Sequence, residues 1–136
     1  MPLLLAVSKH LEQQAAGLGP SATVLSAFQT AERFTGPTHR RYTELARHAA
    51  FVGALGAGMA RTPAPGVRGA ILPPDDPLLD EWSVAILGPH FAGALVARDL
   101  GDTGAQEDRR FDFALTYERE VVIQACISLM QRIAPE

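Results

Sequence analysis

The sequence predicts an α+β fold: one mixed, mainly antiparallel sheet of five to six short strands flanked by three helices. Three observations carry this reading. Residues 110–117 alternate, with Phe111, Phe113, Leu115 and Tyr117 on one side and Asp112, Ala114 and Thr116 on the other, the period of a strand. Two apolar runs, residues 84–87 and 91–96, flank Gly88-Pro89-His90 and read as neighbouring strands joined by a turn. Three further stretches space their apolar residues by three and four, as an amphipathic helix does.

Taken in order, residues 3–16 place Leu4, Val7, Leu11 and Ala15 on one helical stripe, with Lys9, Glu12, Gln13 and Gln14 on other faces. Gly17, Gly19 and Pro20 end this segment. Leu3 and Leu5 lie off the stripe, where they would pack on a partner chain or neighbouring domain, or fray. Residues 23–28 form a strand, Val24, Ser26 and Phe28 alternating with Thr23, Leu25 and Ala27. Gly36-Pro37 opens a second helix over residues 37–49, proline being suited to a first turn. It turns Tyr42, Leu45, Ala46 and Ala49 inward and Arg40, Arg41, Glu44 and Arg47 outward.

Phe51, Val52, Ala54 and Leu55 make a short buried strand that ends at Gly56-Ala57-Gly58, and a Pro/Gly loop follows over residues 59–66. Residues 67–72 form a brief strand stopped by Pro73-Pro74-Asp75-Asp76-Pro77. The pair around Pro89 comes next. Residues 91–98 are read as a strand, although Phe91, Ala94, Leu95 and Arg98 also fit one helix face. Residues 101–108 are a polar, acidic hairpin tip leading into the alternating strand. Thr116 caps the last helix, which carries Val122, Ala125, Cys126, Leu129, Met130 and Ile133 on one stripe and is stopped by Pro135. No repeat or linker divides residues 1–136, which are read as one domain.

Composition excludes several classes. Hydrophobic residues at 47% and charged residues at 20% of a 136-residue chain suit a domain with one buried core, not a disordered tail. A net charge of −3 gives no basic stripe for nucleic acid. Apolar runs fall short of the roughly 20 residues that cross a bilayer. The first residues lack the basic leader of a signal peptide, so a cytoplasmic protein is expected, with no membrane and no nucleic-acid partner. Cys126 is the single cysteine, which rules out an internal disulfide and a multi-cysteine zinc site.

Chemical motifs are missing. His10, His39, His48 and His90 lack the i, i+4 pairing of a zinc-protease helix, so no metal site is expected. Cys126 sits among apolar helix neighbours and reads as core. No Gly-x-Ser-x-Gly elbow is present. Gly53, Gly56 and Gly58 reverse the dinucleotide fingerprint and precede a Pro-rich loop, so they read as a strand-end turn. Phe28, Tyr42, Phe51, Trp82, Phe91 and Phe113 are expected in the core. Trp82 should pack while Glu81 finds a donor nearby. Arg98, Arg109 and Arg110 flank a hairpin, either as a solvated rim or as a site converging on an anion.

The order of landmarks is more specific than any one of them. They are Ala27-Phe28-Gln29, then Arg41-Tyr42-x-x-Leu45-Ala46, then Asp76-Pro77-Leu78 with Glu81-Trp82. Gly88-Pro89-x-Phe91-Ala92 with Leu95-Val96-Ala97 follows, and then Arg109-Arg110-Phe111-x-Phe113. Over about residues 3–133 the chain resembles the DICT sensory domain family of bacterial signalling proteins. The resemblance implies a sensor-like, non-catalytic input module, responding to a small ligand or a light-related cue and passing it to a fused or partner output protein. It carries over no ligand identity, cofactor or catalytic residue. Candidate ligand-binding residues are Tyr42, Trp82, His90, Phe91, Arg98 and Arg110, and the terminal helices are the expected transmitters. The alternative is a ligand-free interaction or dimerisation module, a homodimer using Leu3, Leu5 and the last helix.

Overall fold

The computed structural model describes residues 2–99 and 111–133. The expected hairpin tip at 101–108, Arg109, Arg110 and the Pro135 stop lie outside the described residues. Three helices and one mixed six-stranded sheet are described, as the residue pattern predicts.

Helix α1 (Pro2–Leu18) runs to the first glycine turn. Its buried side differs from the predicted stripe. Leu4, Leu11 and Ala15 are buried, but Ser8 and Glu12 are buried with them, and Val7 is only half-buried. Strand β1 (Thr23–Thr30) extends two residues beyond the predicted one. Near its end Gln29 takes a left-handed φ of 69° and the register with β2 shifts between Ala27 and Thr30. This is bulge behaviour, which bends a strand and redirects its side chains. Helix α2 (Pro37–His48) starts at its proline and stops at Ala49.

Strands β2 (Phe51–Ala57) and β3 (Arg68–Ile71) follow, parallel to β1 and to each other respectively. The loop between them is anchored by buried Met59, Ala64 and Val67. A 3₁₀ turn over Pro77–Asp80 is capped by Asp76, whose side chain accepts from the Leu78 N–H at 2.9 Å. Strands β4 (Glu81–Leu87) and β5 (Ala92–Asp99) are antiparallel, with Val84 opposite Leu95, and Gly88 N–H donates to the Phe91 carbonyl at 2.8 Å. Residues 91–98 are therefore strand, not helix, from Ala92 onward. Cross-strand burial on both faces outweighs their marginal helical spacing. Strand β6 (Phe111–Thr116) and helix α3 (Arg119–Ile133) complete the chain, and Thr116 accepts from the Glu118 N–H at 3.1 Å.

The strand order is β3-β2-β1-β4-β5-β6. Alternate residues go to opposite faces. Val24, Phe28, Val52, Trp82, Val84, Ile86 and Leu95 pack with α1 and α2. Leu25, Ala27, Leu55, Ala85 and Ala94 pack with Val122, Cys126, Leu129 and Ile133 of α3. Phe113 corrects the expectation that it is core: at the outer strand it is 49% exposed. Alternation marks a strand, but it does not say whether a helix covers the face.

Candidate functional site

The most unusual chemistry in the core lies between α1, α2 and β1. Glu12, on α1, is 4% exposed and its Oε1 accepts from Arg41 Nε of α2 at 2.8 Å. Ser8, one turn earlier, donates to Glu12 Oε2 at a long 3.4 Å. Arg41, whose side chain is 27% exposed, also reaches Thr38 Oγ1 at 3.5 Å. Beside this pair, Ser26 Oγ and Tyr42 Oη lie 2.6 Å apart with both residues fully buried, and either hydroxyl can donate. Burial, and after it the nearby Glu12 carboxylate, push the Tyr42 phenol well above its ordinary range. The group is neutral at physiological pH.

Three rings brace this cluster from the α2 end. Phe28, Phe34 and Tyr42 meet edge-to-face with centroids 5.2 to 5.5 Å apart, the favoured geometry for aromatic quadrupoles. The bulge at Gln29 immediately follows Phe28, and Gln29 Nε2 donates to the Leu79 carbonyl at 3.4 Å.

Open volume collects on both sides of the Glu12–Arg41 pair. One cavity of about 320 Å³ lies in the groove between the helices, walled by Ala15, Ala16, Leu45 and Ala49 with Lys9 and His48 among its lining residues. Another of about 290 Å³ is lined by Leu5, Ser8, Phe28, Thr35, Thr38 and Trp82. Glu12 and Arg41 line both. The first has the mostly apolar wall usual in a small-molecule site, whereas the second, which also counts Glu32 and Arg33 in its lining, is more polar. The cavity between α3 and strands β4 and β5 holds only about 60 Å³, the space of a water or two.

Of the six residues predicted to meet a ligand, the structure brings Tyr42 and Trp82 to this place. His90 is exposed in the β4–β5 turn. Phe91 is half-buried there and meets the Tyr117 ring at 6.0 Å. Arg98 sits at the other end of the same hairpin, paired across the strands with Glu81 at 3.3 Å, the donor expected for Glu81. Arg110 lies outside the described residues. Sequence reasoning passed over Ser8, Glu12, Ser26 and Arg41. A signal was present for the first two: Ser8 and Glu12 are one turn apart and fall next to Leu4, Leu11 and Ala15 on the helical wheel.

Burial pushes the Cys126 thiol up to about 11, away from the thiolate that reactivity needs. Among the described residues no cluster of three or more His, Cys, Asp or Glu forms a metal-binding group. Nor is any described helix long and apolar enough to cross a membrane.

The model of the family described as "Sensory domain in DIguanylate Cyclases and Two-component system" matches residues 1–100. The chain belongs to the DICT family. The matched span takes in α1 through β5 and so contains both cavities and every residue of the Glu12–Arg41 cluster. Strand β6 and helix α3 follow it in the chain. No curated protein and no solved structure matches. Membership of DICT makes the chain a sensory domain of signalling proteins.

The motif residues also acquire physical roles within this DICT domain. Ala27-Phe28-Gln29 is the bulge, Arg41-Tyr42 supplies the polar cluster, and Asp76 is a cap that doubles as a clamp. Arg132 of α3 holds Asp76 with Nε to Oδ2 at 2.7 Å and Nη2 to Oδ1 at 3.0 Å.

Proposed function

We propose that this DICT domain is a non-catalytic input module that binds a small molecule in the divided cleft around Glu12 and Arg41. The observation that carries this reading is a buried carboxylate paired with a part-exposed guanidinium, the two together lining two cavities of about 320 and 290 Å³. Desolvating a carboxylate works against stability, and the comparable Arg132–Asp76 pair on the α3 side lines neither of these cavities. A ligand that enters either lobe touches both α1 and α2. It favours whichever helix spacing it fits better, so occupancy becomes a shift between two arrangements. That shift would reach a fused output domain or a partner signalling protein through the helices. A bacterial, cytoplasmic setting is part of this proposal.

In this reading Trp82 lines one lobe and Tyr42 lies buried beside the ion pair, while His90, Phe91 and Arg98 are not among the residues lining either lobe. The test combines native mass spectrometry of freshly purified protein with thermal unfolding in the small-molecule fraction of a cell extract. A retained mass or a raised melting temperature is expected for the wild type, and its loss in Ala16→Trp, which fills the groove. A response that survives Ala16→Trp and Trp82→Phe alike places the ligand elsewhere and defeats the reading.

The interaction-module reading draws on a separate observation. Leu3 is 63% exposed, and Val121 and Ile127 of α3 are about half exposed at 47% and 45%. A dimer of constant mass with no thermal response to extract would favour it.

A further inference from the structure

The two edges of the sheet are treated differently. Along β3 the loop before it closes the outer side. Gly69 N–H donates to the Arg61 carbonyl at 2.7 Å, and Gly69 lies so close to the Ala60 carbonyl oxygen that no Cβ would fit. The strand has four residues, and Pro73-Pro74 soon follows. This is a blunted edge.

Strand β6 has none of these devices among the described residues. It runs for six residues without proline or lysine, and among the described residues it pairs with β5 alone and shows no bulge. Asp112, Phe113, Ala114 and Leu115 are all exposed. Phe113 and Leu115, opposite Ala97 and Leu95, stand on the α1 side of the sheet at 49% and 40% exposure. Helix α1 packs chiefly on β4, β5 and β1.

The helix adds one more apolar group to this surface. Leu4 is buried on the sheet, and Leu5 lines the lobe shared with Thr38 and Arg41 of α2. Successive helical residues turn by about 100°, so Leu3 lies on the opposite flank, above the β5–β6 side.

We propose that β6 is a pairing edge for a second copy of this chain. Two β6 strands join antiparallel about a two-fold axis at Ala114 and make one continuous sheet. Phe113 then lies opposite the partner's Leu115, Ala114 opposite the partner's Ala114, and Asp112 opposite the partner's Thr116. Each Phe113–Leu115 contact is made twice, on the face that Leu3 borders. The only charge in the register meets a hydroxyl, whereas centring the axis on Asp112 would oppose two carboxylates, which disfavours that slip. The strand is thus complementary to itself, and a two-fold contact closes without growing into a fibre. This surface is separate from the α3 face of the interaction-module reading and does not depend on a ligand.

Light scattering on the full chain from micromolar to near-millimolar concentration tests the proposal. The wild type should pass from monomer to dimer. Phe113→Lys with Leu115→Lys should weaken association by about tenfold or more while leaving thermal unfolding of dilute protein unchanged. Val121→Lys with Ile127→Lys on α3 should leave the dimer intact. Hydrogen exchange of the β6 amides should slow as concentration rises. A wild type that stays monomeric overturns the proposal. So does a dimer that persists in the β6 variant or is lost in the α3 variant.

Discussion

The two faces of the sheet are filled by different means. On the α3 side, small residues let the helix settle close: Ala27, Ala85 and Ala94 lie beneath Val122, Cys126, Leu129 and Ile133. A Cβ on Gly53 would lie 2.6 Å from Ile133 Cδ1, so the Ile133 side chain would have to shift to admit one. Arg132 then ties that turn to the Asp76 cap. On the other side, α1 and α2 close over larger groups, Phe28, Tyr42 and Trp82, and leave two cavities around a buried carboxylate. One face is packed for stability. The other gives up packing, as binding surfaces commonly do.

Substitutions should separate the two faces by size of effect. Leu129→Ala, on the closed face, should cost the most, about 3 to 4 kcal/mol of unfolding free energy by denaturant titration, because the surrounding layer cannot collapse into the gap. Arg41→Met should cost about 3 kcal/mol by leaving the Glu12 carboxylate buried without its partner. Adding Glu12→Leu to Arg41→Met should recover most of that loss. A double variant as unstable as the single one would mean that the pair is not the source.

Arg132→Ala should cost about 2 kcal/mol, the scale of a hydrogen bond to a charged group. The Arg132 hydrogen bonds, aided by the Leu78 N–H, hold the Asp76 carboxyl below its ordinary 3.8, against the opposing effect of burial. In the folded chain this group binds its proton less readily than in the unfolded chain. Its contribution is therefore complete above the unfolded value and lost as pH falls through the folded one. Asp76→Asn should remove that part of the acid sensitivity, read as a flatter melting temperature below pH 4. Tyr42→Phe should have the smallest effect, about 1 kcal/mol, by leaving Ser26 without its hydroxyl partner. It should also remove a loss of stability that begins above pH 10, because the folded phenol holds its proton beyond the unfolded value.

The contrast between the faces was only partly legible in the residues. Helix starts at Gly36-Pro37 and after Thr116, and the paired runs on either side of Pro89, follow from local chemistry and were read correctly. Apolar spacing located α1 but not its buried polar residues. Ser8 and Glu12 fall beside the apolar stripe on the helical wheel, but the partner that makes the Glu12 carboxylate's burial tolerable, Arg41, lies 29 positions away. Arg41 was read as outward for the same reason. Phe113 was expected in the core because alternation cannot report how far α1 extends over the sheet. The left-handed turn at Gln29 had no sequence signal, since the position holds neither glycine nor asparagine.

The measurement that bears most directly on the account is amide hydrogen exchange across the whole chain, with and without the small-molecule fraction of a cell extract. Slowed exchange in α1 and α2 around Glu12 and Arg41, with α3 and its Asp76 clamp unchanged, is the predicted result. Protection confined to α3, or to the β4–β5 turn at His90 and Phe91, would contradict it.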